Sequence, residues 1–220
     1  MHFHTPYVSQ CGQAYPEEVM PLYVRNGYSG IAVTDHYYHD FFQKFNGEDS
    51  WEMQAKAFLK GYQKAKSCAE ANRYPLNILL GMELRFQNTF NDYLVYGFDE
   101  EFIFKHPRLD LMEIGDFVKL ARANNLLFAQ AHPFRSPCTP QIPEYLMAVE
   151  VYNGHLFHDS HNDEALKFSE SNNLTGISGT DFHEMSSACR GGTYFEKCPV
   201  SSAELAELVL SGGIIGLKKG

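Results

Sequence analysis

A chain of 220 residues, 44% of them hydrophobic, can bury one substantial core, as one large α/β domain or two small ones. Its net charge of −9 argues against a general nucleic-acid coat, which needs clustered Lys and Arg to release counterions. No run approaches the roughly 18 apolar residues that cross a bilayer, and five scattered cysteines without a CxxC pair argue against a disulfide framework, so a reduced, cytoplasmic protein is expected.

In chain order, SGIAVTD (29–35) is a β-branched run ending in polar residues and predicts a strand. Apolar residues at helical spacing over 50–74 (Ala55, Phe58, Leu59, Tyr62, Ala65, Ala69) predict a long amphipathic helix. Apolar runs predict strands at 76–86 and 92–98, followed by a helix over 112–125 and a strand at 126–131. AVEVYN (148–153), a polar helix near 160–173, TGISGTD (175–181), a helix over 201–211 and GIIGLK (213–218) complete the series. Strands alternating with helices over short connections imply parallel strands joined by right-handed crossovers. The predicted architecture is a single α/β domain over 1–220, a closed or distorted TIM-like (β/α)7 barrel, with an open doubly wound sheet as the alternative. No GxGxxG or Walker-type loop follows a strand, which counts against a nucleotide-binding open sheet.

Ten histidines are present, and many fall at strand ends. HFHT places His2 and His4 on one face of an initial strand, because residues two apart in a strand share a face. Asp35 and His36 (VTDH) end the next strand, Glu83 (GMEL) lies near the end of the third, and His132 (AHPF) follows the 126–131 strand. Asn153 (EVYN) closes its strand, and Asp181 and His183 (GTDFH) follow 175–179. In a parallel barrel such C-terminal ends meet at one face. His, Glu and Asp converging there make the ligand set of a hydrolytic transition-metal centre. Singly, the motifs have plainer explanations: HFH as a polar strand edge, TDH as a helix cap, HP as a turn. Glu83, set among Leu and Met, resists such a reading because an unpaired buried carboxylate is costly.

The ordered set HFHT, VTDH, GMEL, AHPF, EVYN and GTDFH resembles the successive motifs of the PHP (polymerase and histidinol phosphatase) family, from Met1 to about Gly216. The resemblance implies a distorted seven-stranded β/α barrel that carries two or three divalent metal ions (Zn, Mn or Fe) and hydrolyses phosphoesters. It further implies that His2, His4, Glu83 and Asp181 hold one metal. Glu83 then bridges to a second, held with His132 and a histidine of GHLFHDSH, and His36 and His183 hold a third. The chain departs from the pattern in having no Asp two residues before His2 and in carrying Gln10, where the family has a His or Asp ligand. His158 best fits the ligand after the sixth strand and His155 is the alternative. His161 fits the following helix, and His39 and His106 match no motif.

A cation pair lowers the pKa of a shared water from about 15.7 toward 7 and neutralises charge on phosphoryl oxygens. No nucleophile elbow or Cys-x5-Arg loop is present. Arg135 and Arg190 are expected on the same rim, where guanidinium forks suit phosphate and where a surface salt bridge is the alternative role. His158 and His183 are the two candidates for protonating the leaving alkoxide. Cys11, Cys138 and Cys189 fall in rim loops, with Cys11 a possible stand-in ligand beside Gln10 and a small, partly buried hydrophobe the favoured reading. The expected activity is hydrolysis of a small phosphomonoester, with a phosphotyrosine phosphatase or oligonucleotide phosphodiesterase as enzyme alternatives and a non-catalytic metal-binding module as the other class. Acidic charge weakens the oligonucleotide version, and oligomeric state is not legible.

Overall fold

The computed structural model describes residues 1–220. Its first helix, α1 (Pro16–Arg25), has a proline in the first turn, Glu17 and Glu18 at its positive end and Arg25 in its last turn, which complements the helix dipole. Pro21 lies inside it, where a proline normally interrupts a helix, so this element has no clear local signature. Strands β1 (Gly30–Val33) and β2 (His36–Tyr37) follow, then the single turn α2 (His39–Phe42). Helix α3 (Trp51–Ala71) fulfils the 50–74 periodicity, and Ser50 caps it by accepting from the Met53 amide.

The 76–86 run divides into β3 (Asn77–Leu80) and β4 (Met82–Arg85) at Gly81. A Cβ at Gly81 would come within 2.9 Å of the Tyr96 ring, so the tight approach requires glycine. Next come β5 (Asp92–Tyr96), α4 (Glu100–Lys105), α5 (Ile114–Ala123), β6 (Leu127–Gln130), β7 (Ala148–Asn153), α6 (Asn162–Ser171) and β8 (Thr175–Gly179). β9 (Gly191–Phe195), α7 (Ser202–Leu210) and β10 (Ile214–Lys219) complete the chain.

The strands form a six-stranded sheet in the order β2-β4-β5-β6-β7-β8, a parallel pair β1-β3 and an antiparallel pair β9-β10. The expectation of uniformly parallel strands is corrected at β5, which runs antiparallel to both β4 and β6. Only six residues separate β4 from β5, too few for the crossover that parallel neighbours need. The expected first strand is reduced to one parallel bridge, Phe3 with Phe182. Its backbone is nevertheless held on both sides: His4 N–H donates to Phe182 O at 3.0 Å, and Thr34 N–H donates to Phe3 O at 2.8 Å. Phe3 stacks on Phe182 with 4.5 Å between ring centroids, inside a cluster with Val19, Met20, Ile31 and Val33. That anchoring turns His2 and His4 together toward the opposite side. No helix is long and apolar enough to cross a membrane.

Helix α3 braces this region through Gly61. The buried Asp35 carboxylate accepts from the Thr5 amide, the Thr5 hydroxyl and the Ser9 hydroxyl, each at 2.7 Å. A Cβ on Gly61 would overlap both the Asp35 carboxylate and the Thr5 hydroxyl. Gly61→Ala is therefore expected to destabilise the fold by about 1–3 kcal/mol and to lower the melting temperature by about 5 °C. An unshifted thermal melt would show that α3 can lean away from Asp35 freely.

Candidate metal centre

The residues flagged in the sequence meet at one mouth. His2 and His4 reach it from the N-terminal segment, His36 from the start of β2 and Glu83 from β4. His132 follows β6, and Asp181 and His183 follow β8. His2, His4, Glu83, His132 and Asp181 are buried, whereas His36 and His183 are partly open to the cleft. His132 and Asp181 adopt φ of 26° and 46°, a region that side-chain-bearing residues rarely enter and that concentrates at functional sites.

Glu83 is the hub. Its Oε1 lies 3.2 Å from His2 Nε2 and 3.1 Å from His132 Nε2, while its Oε2 lies 3.4 Å from His4 Nε2 and 2.7 Å from His36 Nδ1. Asp181 Oδ1 lies 3.4 Å from His2 Nε2 and 3.2 Å from His4 Nε2. The outer nitrogens fix the tautomers. His2 Nδ1 donates to Glu150 Oε1 at 3.0 Å, and His4 Nδ1 donates to Ser9 Oγ at 3.2 Å, the hydroxyl itself pointing at Asp35. Each imidazole, when neutral, thus presents its Nε2 lone pair inward, the arrangement by which a second layer of acceptors orients metal ligands.

Despite these distances, His2 Nε2, His4 Nε2, His36 Nδ1 and Glu83 Oε2 are buried without a hydrogen-bond partner. Four orphaned polar atoms aimed at one spot are expensive unless something else satisfies them. A divalent cation would do so, and imidazole with carboxylate is a donor set that holds such ions. Donor atoms lie within 4.8 Å of one another in four groups: His2, His4 and Glu83; His2, His132 and Asp181; His4, His36 and His183; Asp92, His132 and Cys138.

The electrostatics agree. Burial raises the carboxylate pKa values, but His2 and its neighbours outweigh it and hold Glu83 and Asp181 well below the ordinary range. Burial, together with His36 and His183, keeps His4 well below its usual value, hence neutral and able to ligate. Burial also opposes protonation of His36 and His132, yet Glu83 and the neighbouring thiols bring both to about 10. The pocket attracts positive charge strongly.

Arg135 reaches the site, but its guanidinium is already engaged, donating to Asp181 Oδ2 at 2.7 Å, to Asn153 Oδ1 at 2.8 Å and to Ser160 Oγ. Arg190 does not line the cleft, which corrects the rim placement. After Cys189, itself at φ 62°, the chain turns away, and the Arg190 backbone packs behind Gly154. His155 and His158 stand side by side at the opening, ring centroids 4.7 Å apart, and neither enters the four donor groups. His155 is nearer the centre, 5.3 Å from the His183 ring. Gln10 is exposed and absent from the cleft wall. The next residue takes that place: Cys11 Sγ lies 3.1 Å from His36 Nε2. Burial pushes its thiol up, but hydrogen bonds with His183 and His36 bring it down to about 6. The favoured reading of Cys11 as a small hydrophobe is corrected by these polar contacts.

Asp92 and its partner Arg85 escaped the sequence reading. Arg85 clamps Asp92 through two bonds of 2.6 and 2.7 Å. Because β5 runs backwards, the residue at its beginning arrives at the mouth, where only strand ends were sought. Glu150, which holds His2 and the His132 amide (3.1 Å), is hidden similarly by its apolar neighbours. The cleft over the centre encloses about 620 Å³, and Tyr38, Arg85, Phe90, Arg135 and Phe157 contribute to its walls. A larger cleft of about 730 Å³, between α3 and the start of α7, contains none of the donor groups.

A mixed α/β scaffold with buried imidazoles arrayed around two shared carboxylates defines a metal-binding domain with an open face. Residues 1–168 match the PHP domain, and the chain belongs to that family. Asp181 and His183 lie beyond the matched span. Among solved structures, the chain is similar to PsfC from Pseudomonas syringae PB-5123, at 16% identity and a TM-score of 0.61, over 94% of this chain and 85% of that one. It is also similar to an amidohydrolase from Chromobacterium violaceum with bound sulfate and no metal (13% identity, TM-score 0.55, 97% and 96% covered). A third likeness is to a structure from Bifidobacterium adolescentis described as a metal-dependent phosphoesterase (11% identity, TM-score 0.51, 83% and 86% covered). At these identities the likeness is one of fold. No curated protein matches the chain.

Proposed function

We propose that the protein is a metal-dependent hydrolase of the phosphoesterase type, acting on a small phosphomonoester with two or three divalent cations (Zn, Mn or Fe). The observation that carries this reading is Glu83, whose two oxygens each face two histidines (His2 and His132, His4 and His36). A carboxylate in that position suits a bridge between neighbouring cations. The seven-stranded barrel belongs to the same reading. It is supported by the backbone bonds that tie the Phe3 segment to Phe182 on one side and to Thr34 on the other, although the sheets themselves remain separate.

His2, His4, Glu83 and Asp181 would hold one cation, Glu83 and His132 a second, and His36 and His183 a third. Bound there, divalent cations lower the pKa of water and neutralise charge building on phosphoryl oxygens. Arg135 orients Asp181 and Asn153 and keeps a positive charge beside the incoming anion. His155 and His158 overhang the opening, and burial holds both below the usual imidazole pKa, His155 at about 4. They therefore enter the reaction as neutral groups, which accept protons or hydrogen bonds. His183 is raised instead, burial being outweighed by Cys11 and Asp181, and serves as proton donor to a leaving alkoxide only in a two-cation enzyme, where it holds no metal. Exposed Phe90 and Phe157 at the mouth favour, as a second reading, an aryl phosphate such as phosphotyrosine.

The test is a panel of alkyl and aryl phosphomonoesters, phosphodiesters and amides, assayed with protein reconstituted separately with Zn, Mn and Fe. Metal-dependent monoester hydrolysis is expected, and a preference for aryl esters would select the second reading. Cleavage of amides alone would overturn both, and metal binding without any turnover would leave a non-catalytic module.

A further inference from the structure

We propose that Cys11 ligates a cation through its thiolate, together with His36 and His183, at the outer edge of the centre. The assignment rests on the metal-centre reading above and adds to it the donor that completes the third position. Cys11 Sγ stands 3.1 Å from His36 Nε2 and in hydrogen-bond contact with His183. Sulfur and nitrogen bound to one tetrahedral zinc are separated by about 3.5 Å, so a cation enters after a shift of a few tenths of an ångström.

The imidazoles are oriented for it. His183 Nδ1 donates to the Asp181 carbonyl at 2.9 Å, and His36 Nδ1 faces Glu83 Oε2 at 2.7 Å. Both rings therefore turn Nε2 toward the sulfur. Acceptors behind the ring are the usual means of aiming a ligating histidine. An independent sign comes from the inner side, where His4 Nε2 is fully buried and lacks a hydrogen-bond partner. The His4 ring lies 4.3 Å from that of His36 and 4.4 Å from that of His183, and the three share a donor group within 4.8 Å. Gln10, by contrast, is exposed and stands outside the cleft wall to which Cys11 belongs.

A thiolate changes what the position prefers. Sulfur favours zinc or iron over the harder manganese and magnesium, so the outer position would differ in metal preference from the carboxylate-bridged pair.

Cobalt(II) titration of the full chain tests this, because a cysteine ligand adds an intense near-ultraviolet sulfur-to-cobalt absorption that imidazole and carboxylate lack. The cobalt protein is expected to show that band. Cys11→Ser should lose both the band and one equivalent of cobalt after gel filtration. Cys11→His should recover the equivalent without the band. Cys198→Ser controls for an exposed thiol outside the cleft and should retain band and stoichiometry. Cobalt bound with no band, or a band that survives Cys11→Ser, overturns the Cys11 assignment and leaves the rest of the centre standing. A protein that takes up no cobalt overturns the metal centre as well.

Discussion

Replacing Glu83 with Gln is expected to remove metal and activity together. The substitution preserves shape, so packing around the buried side chain, which is 1% exposed, should survive. What changes is charge: the anion shared by His2, His4, His36 and His132 becomes a neutral amide. An amide NH2 on either side would also donate a hydrogen bond to an imidazole lone pair and so compete with a cation for it. Loss of a bridging carboxylate removes several kcal/mol of electrostatic stabilisation, which corresponds to a fall in kcat of about 100-fold or more. Metal content by mass spectrometry and turnover on the best monoester should decline in parallel, with circular dichroism unchanged. A folded Glu83→Gln protein with full metal and full turnover would remove the bridge from the proposal.

Stripping the metal should have the second large effect, on stability. The N-terminal segment is tied to the fold by a single bridge and a few backbone bonds, yet it places two fully buried histidines in the centre. Cations that bind only the native state stabilise it by mass action, about 4 kcal/mol at a thousandfold excess over Kd. For a chain of this size that corresponds to a melting temperature about 10 °C higher. Chelation should lower it by a similar amount, and limited proteolysis should then cut near the N-terminus before the rest of the chain. A melting curve unchanged after verified metal removal would show that the strand is held by packing alone, chiefly the Phe3–Phe182 stack.

The elements legible in the sequence were those with one dominant local signal. The α3 periodicity survives because nothing interrupts it, and the strands that end in polar residues were readable because burial changes abruptly there. From those ends came His36, Glu83, His132, Asp181 and His183, and from the HFH alternation came His2 and His4; the fold brings all seven to one mouth. What was hidden depended on direction or on a neighbour far away in sequence. Asp92 reaches the mouth only because β5 is reversed, and no local pattern reports strand direction. Helix α1 is masked by Pro21, and β9 by a GG start with little apolar signal. Arg190 sits a few residues past His183, but the left-handed turn at Cys189 sends it elsewhere. Cys11 shows its character only once His36, 25 residues later, is beside it.

The pairing of the first residues with the last part of the core also fixes an order of events during synthesis. The Thr180 hydroxyl donates to the His2 carbonyl at 2.8 Å across a separation of 178 residues. Closing so large a loop carries an entropic cost that local contacts do not share, and distant pairings of this kind form late. A ribosome adding roughly 5–20 residues per second leaves the HFH segment without its partner for on the order of ten seconds or more. Throughout that interval Phe3 has no Phe182 to stack on, and His2 and His4 are a short peptide accessible to whatever cation the surroundings supply. On the metal-centre proposal, any selectivity among cations would therefore be acquired late in biogenesis, when the segment around Asp181 docks, and ions met earlier could exchange until then.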